Sequence, residues 1–327
     1  MAQHWIDAHG HFAAPGPALP RGGTGTEAGG AWVFAPESSL AYMERTGMAA
    51  QLISNCNPVT NSDAIVASNS YGASLARHYP QRFGFLAMLP LAEPARAVAE
   101  IDRGAEELGA DGFAVLSNFD GVYLGDPRFE PVWAALDALG ATLFLHPTTR
   151  GYGGLALGRT GALIEAPMDT ARTVVDMLYA GVFRRYPRFN LLLAHGGGAL
   201  PGLAGRISSF GPDSRSWVAN PQRITAAEMT AAFARFYYDT ALAGTAHSLD
   251  GILDVTTPDH MVYGADFGAP CTDPELCDFN LASVKGYARL SAAEREALGT
   301  NVLALFPSFA ARIGAPVRRG AVPAAAE

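Results

Sequence analysis

The chain has 327 residues, of which 49% are hydrophobic and only 17% charged, with 23 Lys and Arg against 31 Asp and Glu for a net charge of −8. Globular chains average about 25% charged residues, so the low charge excludes disorder as the main state and leaves two domains or one large α/β barrel. The acidic balance excludes a nucleic-acid partner, which would need clustered basic residues.

Eight short apolar runs are spaced through the whole chain and predict buried strands. Several of them, such as 191–194, lack the in-and-out alternation of half-exposed strands, as is typical of a parallel sheet covered on both faces. The predicted strands are 5–9, 50–54, 83–89, 112–116, 142–146, 190–195, 236–239 and 261–266.

Helical patterns separate these strands, for example at 94–108, 127–139 and 168–183. Gly109 and Gly140 stand where the first two would end. Strand and helix alternate without a linker, so we expect one (β/α)8 TIM barrel domain over residues 1–316. A Gly-rich loop insertion at 15–35 interrupts the pattern, and the tail 317–327 is expected to be disordered.

The three cysteines, Cys56, Cys271 and Cys277, cannot all pair with one another, which suits a reducing compartment. The first residues lack a basic stretch followed by an apolar one, and no apolar run reaches the roughly 18 residues of a membrane span. We therefore expect a soluble cytoplasmic protein with no membrane partner.

The first predicted strand leads into Asp7-Ala8-His9-Gly10-His11. Residues two apart on a strand point to the same side, so Asp7, His9 and His11 would face one end of the barrel together. Two imidazoles on one face can bind a metal ion. Alone, this pattern is as consistent with buried, hydrogen-bonded polar residues.

Three further polar residues end predicted strands: His146 the fifth, His195 the sixth and Asp266 the eighth. Barrel enzymes place their active sites at the carboxyl ends of the strands, where these residues would meet His9 and His11. Imidazoles with one carboxylate form a ligand set for Zn²⁺, with Mn²⁺ or Fe²⁺ as alternatives. The competing interpretation is a set of polar core residues with satisfied hydrogen bonds.

Four segments together resemble a known family. They are 6–12, His146-Pro147, 186–207 with its His195-Gly196-Gly197-Gly198 run, and Gly264-Ala265-Asp266. With these segments the chain resembles the amidohydrolase superfamily, and within it the decarboxylase branch typified by aminocarboxymuconate semialdehyde decarboxylase. The segment 116–129 is similar to members described as 6-methylsalicylate decarboxylases.

The resemblance implies that His9, His11, His146 and Asp266 hold one divalent metal ion, with His195 beside it. It also implies a homodimer, for which helix 168–183 and segment 205–210 are the candidate contacts. The chain departs from the typified branch in one respect. Residues 22–39 contain no Arg where that branch anchors a carboxylate, which argues against a muconate semialdehyde substrate.

We therefore expect non-oxidative decarboxylation of a small ortho-hydroxy aromatic carboxylic acid, such as 6-methylsalicylate. The carboxylate and phenol oxygens of such an acid can chelate the metal, while Asp266, directly or through His195, supplies the proton that replaces carbon dioxide. Arg150 is the candidate partner of the substrate carboxylate, and Asp239 is a candidate for either structural hydrogen bonding or catalysis. The predicted substrate contacts, each alternatively a loop-packing residue, are Phe12, Trp32, Asn118, Arg150, Tyr152 and Phe267.

The rival enzyme class is a hydrolase or hydratase, in which the same ligands activate water against an ester, lactone or amide. A binuclear centre bridged by a carbamylated lysine is disfavoured, because Lys285 is the only lysine and lies beyond the eighth predicted strand. An inactive barrel that only binds ligands is the non-enzymatic alternative.

Overall fold

The fold is built around a curved parallel sheet wrapped by helices. The computed structural model describes residues 5–15, 19–20, 31–32, 34–56, 61–148, 155–212, 219–268 and 273–315. The sheet strands are β1 (Trp5–His11), β2 (Met48–Ser54), β3 (Phe83–Met88), β4 (Gly112–Leu116), β5 (Thr142–His146), β6 (Asn190–Leu193), β7 (Tyr237–Asp239), β8 (Met261–Val262) and β9 (Phe267–Gly268).

Twelve α-helices in the described residues surround the sheet and supply the apolar layer on its outer face. They are α1 (Pro36–Thr46), α2 (Ser62–His78), α3 (Pro94–Arg103), α4 (Glu130–Leu139), α5 (Glu165–Tyr179), α6 (Val182–Arg185), α7 (Leu200–Phe210), α8 (Ala226–Arg235), α9 (Ala246–Leu253), α10 (Pro274–Lys285), α11 (Ala292–Leu298) and α12 (Pro307–Arg312). None of these helices is long and apolar enough to cross a membrane.

The strands lie in the order β8-β7-β6-β5-β4-β3-β2-β1-β9, and every pairing in this sheet is parallel. Both edge strands belong to one segment, 261–268. Its first strand, β8, pairs with β7, and its second, β9, pairs with β1. Between them the Ala8 N–H donates to the Tyr263 carbonyl at 2.8 Å. The predicted α/β architecture with a buried parallel sheet is therefore confirmed.

An apolar plug covers the amino ends of the strands. Val302, Leu305, Phe306 and Phe309 are nearly inaccessible and pack with the inward side chains of the sheet. The hydroxyl of Thr142, the first residue of β5, donates to the Leu305 carbonyl at 2.8 Å. The histidines gather at the other end of the sheet, where His146 is the last residue of β5.

Most predicted elements are found with small shifts of their ends. The predicted helix 94–108 is an α-helix followed by one π-helical turn, Gly104–Leu108, and helix 127–139 begins with a 3₁₀ turn, Pro127–Phe129. The predicted helix 168–183 begins earlier and is divided into α5 and α6. Much of the 15–35 insertion lies outside the described residues, although 19–20 pair with 31–32 in a short hairpin. The tail 317–327 is also outside them.

Candidate active site

Strand β1 delivers two histidines to the site through an irregularity in its pairing with β2. The register shifts between Asp7 and Gly10, and a bulge of this kind redirects the side chains that follow it. Asp7 therefore does not join His9 and His11. Its Oδ2 accepts from Gln51 Nε2 at 2.7 Å, and its Oδ1 accepts from the backbone N–H groups of His9 and Ala265, each at 2.9 Å.

The carboxylate of Asp266 brings β1 together with the segment that follows β8. Asp266 Oδ1 lies 2.9 Å from His11 Nε2 and 3.2 Å from His9 Nε2. The two Nε2 atoms of His9 and His11 are 3.0 Å apart. These three side chains are at most 5% exposed, so their polar atoms face one another with little access to water.

His146 and His195 complete the cluster from β5 and from the turn after β6. The ring centroids of His146 lie 5.2, 5.0 and 5.1 Å from those of His9, His11 and His195. One set of potential ligand atoms, all within 4.8 Å of one another, comes from His9, His146, His195 and Asp266. The structure thus brings all five predicted residues together, and this set contains His195 in place of His11.

The hydrogen bonds on the outer side of the rings are suited to a cation. His9 Nδ1 lies 2.7 Å from Asp239 Oδ2, and His146 Nδ1 lies 2.8 Å from the Pro147 carbonyl. A proton on each Nδ1 leaves the Nε2 lone pair directed inward, as in metal-bound histidines. His146 Nε2 is buried and has no hydrogen-bond partner among the described residues. The donor set and this orphaned nitrogen fit a divalent metal ion.

The charges in the cluster are strongly coupled. Burial opposes protonation of His9, but Asp239 and Asp266 outweigh it and raise the His9 pKa to about 10. Burial and the neighbouring imidazoles hold the pKa of His146 well below its ordinary value. The pKa of Asp266 is also held well below its usual range, because the histidines outweigh its burial. Protons and a cation would therefore compete for the same lone pairs.

Both His195 and Asp266 have an unusual backbone conformation at the point where their side chains enter the site. Each has a positive φ, 55° and 59° respectively, which is uncommon for residues with side chains and is often found at functional sites. The glycine run after His195 continues this left-handed path. Gly198 has φ 59°, and a Cβ there would collide with the Pro167 backbone. Asp239 holds the turn in place, since its Oδ1 accepts from the His195 N–H at 2.8 Å.

The residues predicted to contact the substrate differ from one another in burial and in contacts. Phe12 is completely buried between Phe34, Tyr71 and Phe85, with ring centroids 6.1–6.3 Å apart. Phe267 is 6% exposed and stacks on Tyr42. Asn118 is 4% exposed, and Trp32 belongs to the short hairpin. Arg150 and Tyr152 lie outside the described residues.

Sequence reasoning left the role of Asp239 open and missed Gln51. Asp239 contacts both His9 and the backbone of His195, so it links two members of the cluster. Gln51 holds Asp7 and is fully buried. The available signal was a polar residue inside the apolar strand Met48–Ser54, because a buried polar residue is the exceptional case.

Comparisons with known proteins agree with this architecture. Residues 6–307 match the amidohydrolase family model. A decarboxylase from Penicillium terrestre is 29% identical across 93% of this chain and 95% of its own. A 6-methylsalicylic acid decarboxylase from Penicillium expansum is 28% identical across 92% and 96%.

A solved dihydroxybenzoic acid decarboxylase from Polaromonas sp. JS666, with bound manganese and the inhibitor 2-nitroresorcinol, superposes with a TM-score of 0.72 at 22% identity. The superposition covers 84% of this chain and 86% of that one and supports the fold. The predicted resemblance to the decarboxylase branch is confirmed by the named relatives. Because the family model matches most of its length, the chain belongs to the amidohydrolase family.

Proposed function

We propose that the protein is a metal-dependent, non-oxidative decarboxylase of a small ortho-hydroxy aromatic acid, with 6-methylsalicylate as the leading candidate. The observation that carries this proposal is the buried cluster of four imidazoles and one carboxylate at the carboxyl ends of the strands. Full-length relatives named as decarboxylases, one of them for 6-methylsalicylic acid, support the same reaction.

The metal would be held by His9, His11, His146 and Asp266, with His195 adjacent. A bound divalent cation would act as Lewis acid and as template for the carboxylate and phenol oxygens of the substrate. Zinc suits the imidazole-rich set, and manganese is the alternative, which the Polaromonas enzyme binds. The Asp239 carboxylate keeps the His9 ring oriented for this role.

The proton that replaces carbon dioxide would pass through Asp266 and His195. Asp266 Oδ1 faces His9 and His11, whereas its Oδ2 lies 3.4 Å from His195 Nε2. The His195 side chain is 15% exposed, more than the side chains of His9, His11 and Asp266. His195 can therefore exchange protons with solvent and return one to the ring carbon that loses the carboxylate.

The substrate contacts remain predictions. Asn118 would contribute an amide, while Trp32, Tyr152 and Phe267 would contribute aromatic surface to a flat ring. Phe12 is completely buried among three aromatic rings and would pack behind that surface. Arg150 would neutralise the carboxylate before it is lost. Asn118 is the second residue after β4, whose last residue, Leu116, pairs with His146 of β5.

We also propose that segment 261–268 closes the sheet into a (β/α)8 barrel within one domain, 1–316. The Ala8 to Tyr263 hydrogen bond and the pairing of β9 with β1 support closure.

A homodimer is supported by Met168 and Phe210, each 43% exposed, in the two segments that the sequence indicated. Buried, unpaired Cys56 and Cys277 suit a cytoplasmic location.

A paired-substrate assay tests the proposed reaction. Purified protein with Zn²⁺ or Mn²⁺ is incubated with 6-methylsalicylate, 2,6-dihydroxybenzoate and 4-hydroxybenzoate, and carbon dioxide and phenols are measured. We expect turnover of the first two acids and none of 4-hydroxybenzoate, whose para hydroxyl cannot chelate with its carboxylate. Turnover of an ester or lactone panel with no hydroxybenzoate consumed would instead support the hydrolase, which the named relatives do not favour.

A further inference from the structure

A second cluster of polar groups, centred on a buried carboxylate, lies beside the strand that carries His146. Its centre is Asp169 on α5, whose side chain is completely buried. Within the described residues this carboxylate accepts hydrogen bonds from the Ser117 hydroxyl, Asn118 Nδ2 at 2.8 Å, the Tyr123 hydroxyl at 2.6 Å and Arg172 Nη1 at 3.0 Å.

Ser117 connects this carboxylate to the end of β5. The Ser117 N–H donates to the His146 carbonyl at 2.9 Å, and the Ser117 hydroxyl accepts from the Thr148 N–H at 2.9 Å. Because the hydroxyl donates its only hydrogen to Asp169, its lone pairs are turned toward Thr148. The backbone on both sides of Pro147 is therefore held by one serine, whose orientation depends on Asp169.

This backbone determines where the His146 ring lies. The ring donates through Nδ1 to the Pro147 carbonyl within the same held segment. A shift of residues 146–148 would move the lone pair of His146 Nε2. This nitrogen has no hydrogen-bond partner in the described structure that could hold it in place. Ligand groups must sit within about 0.5 Å of their working geometry, so a small displacement has a measurable cost.

We propose that Asp169 is a positioning residue of the metal site, which acts through Ser117 to hold residues 146–148 and so directs His146 Nε2 at the cation. The proposal rests on the proposed function, because it takes His146 as a metal ligand. Asp169 itself contacts neither His146 nor the other ligands through any hydrogen bond of the described structure, and its effect passes through the serine hydroxyl.

The chemistry of the cluster explains why a carboxylate is needed. Among the described residues, Ser117 and Asn118 donate to Oδ2, and Tyr123 and Arg172 donate to Oδ1. An ionised carboxylate accepts at both oxygens, whereas an amide would turn an NH₂ group toward one pair of donors. Asp169→Asn therefore keeps the shape of the side chain, but one of its two hydrogen-bond-accepting oxygens is replaced by an NH₂ group.

Asp111 is a matched control at the other end of β4. Its side chain is also completely buried and accepts from the Phe85 N–H, the Ser308 hydroxyl and both terminal nitrogens of Arg312. Asp111 precedes the first residue of β4, while Ser117 follows the last. Within the described residues the two carboxylates have similar burial and similar numbers of donors, and of the two Asp169 is the one that connects to a proposed ligand.

The test compares Zn²⁺ affinity and melting temperature in wild type, Asp169→Asn, Ser117→Ala and Asp111→Asn. The metal-free proteins are titrated with Zn²⁺ against a chromophoric chelator. We expect Asp169→Asn to weaken Zn²⁺ binding about ten- to hundred-fold, the range seen when outer partners of metal ligands are lost. Ser117→Ala should weaken it in the same direction. Asp111→Asn should lower the melting temperature while its Zn²⁺ affinity stays within about two-fold of wild type.

Zn²⁺ affinities of Asp169→Asn and Ser117→Ala within about two-fold of wild type would overturn the proposal, as would an equal loss in Asp111→Asn. If Asp169→Asn does not fold, Ser117→Ala decides, because it removes a single oxygen. Failure of the proposed function has a different signature: wild type itself would then bind no Zn²⁺ or would release no carbon dioxide from ortho-hydroxy acids.

Discussion

The two ends of the parallel sheet both bury carboxylates, but the groups around those carboxylates differ. At the amino end, Asp111 pairs with Arg312 next to the apolar plug that contains Phe306 and Phe309. At the carboxyl end, Asp266 lies among imidazoles, and the nearby His146 Nε2 has no partner in the described structure. The Asp111 carboxylate has charged and neutral partners and contributes stability, whereas the unused lone pair of His146 at the carboxyl end is available to a ligand.

The two ends differ because one stabilises the fold and the other binds a ligand. Buried polar groups without partners are costly, so a fold selected only for stability would pair or remove them. At the amino end, Asp111 meets this condition through its ion pair with Arg312, next to the closely packed plug. The carboxyl end retains positive φ values at His195 and Asp266, which is strain that the amino end does not need. Mutations at the two ends should therefore affect different measurements.

Asp266→Ala should have the largest effect. It removes the carboxylate that faces His9 and His11, so we expect loss of bound metal and at least a roughly thousand-fold fall in turnover, equivalent to about 4 kcal/mol. Metal analysis and carbon dioxide release measure the two effects. A variant that keeps one equivalent of metal and full turnover would show that the carboxyl end is not the reaction centre.

Phe306→Ala tests the amino end. The ring is completely buried in the plug, so its removal should lower the free energy of unfolding by about 3–5 kcal/mol. Urea denaturation measures this loss. Turnover per folded molecule should match wild type, and a specific loss of turnover without a loss of stability would contradict the assignment of this end to stability.

Metal removal should affect stability through the carboxyl end alone. An ion that binds only the folded protein at about 100 times its dissociation constant adds about 2.7 kcal/mol to the free energy of unfolding. Chelation should therefore lower the stability of wild type and Phe306→Ala by similar amounts and leave Asp266→Ala unchanged. Thermal denaturation with and without chelator measures this, and equal losses in all three proteins would place the ion elsewhere.

Asp239→Asn should have the smallest of these effects. The amide can still contact His9 but no longer presents two accepting oxygens to His9 and the His195 N–H. We expect metal affinity to fall about ten- to hundred-fold, equivalent to about 1.4–2.7 kcal/mol. Titration with metal ions against a competing chelator measures this affinity, and Asp111→Asn serves as the control. Unchanged affinity would mean that Asp239 serves the fold alone.

The repeating apolar pattern allowed much of the fold to be predicted. Strands β4 and β5 have the predicted bounds, because continuous apolar runs ending at polar residues are a strong local signal. Of the last predicted strand, 261–266, only Met261–Val262 is a strand, β8, and β9 begins one residue after the predicted end. Asp266 lies between these two short strands, and its positive φ cannot be read from residue type.

The site was predicted less completely, because its hydrogen bonds join distant parts of the chain. Period-two alternation placed Asp7 beside His9 and His11, but the register shift in β1 turned it away to Gln51. The contacts of Asp239 with His9 and of Asp169 with Ser117 span 230 and 52 residues. No local pattern encodes such pairs, so the supporting carboxylates became visible only in three dimensions.

The central claim is that one divalent ion in the histidine and aspartate cluster is required for decarboxylation of an ortho-hydroxy aromatic acid. The most direct test adds Zn²⁺ or Mn²⁺ stepwise to metal-free protein and measures carbon dioxide release from 6-methylsalicylate. We predict that turnover begins near zero, rises in proportion to added metal and levels off at about one equivalent. Full turnover by the metal-free protein, or none at any metal content, would contradict this account.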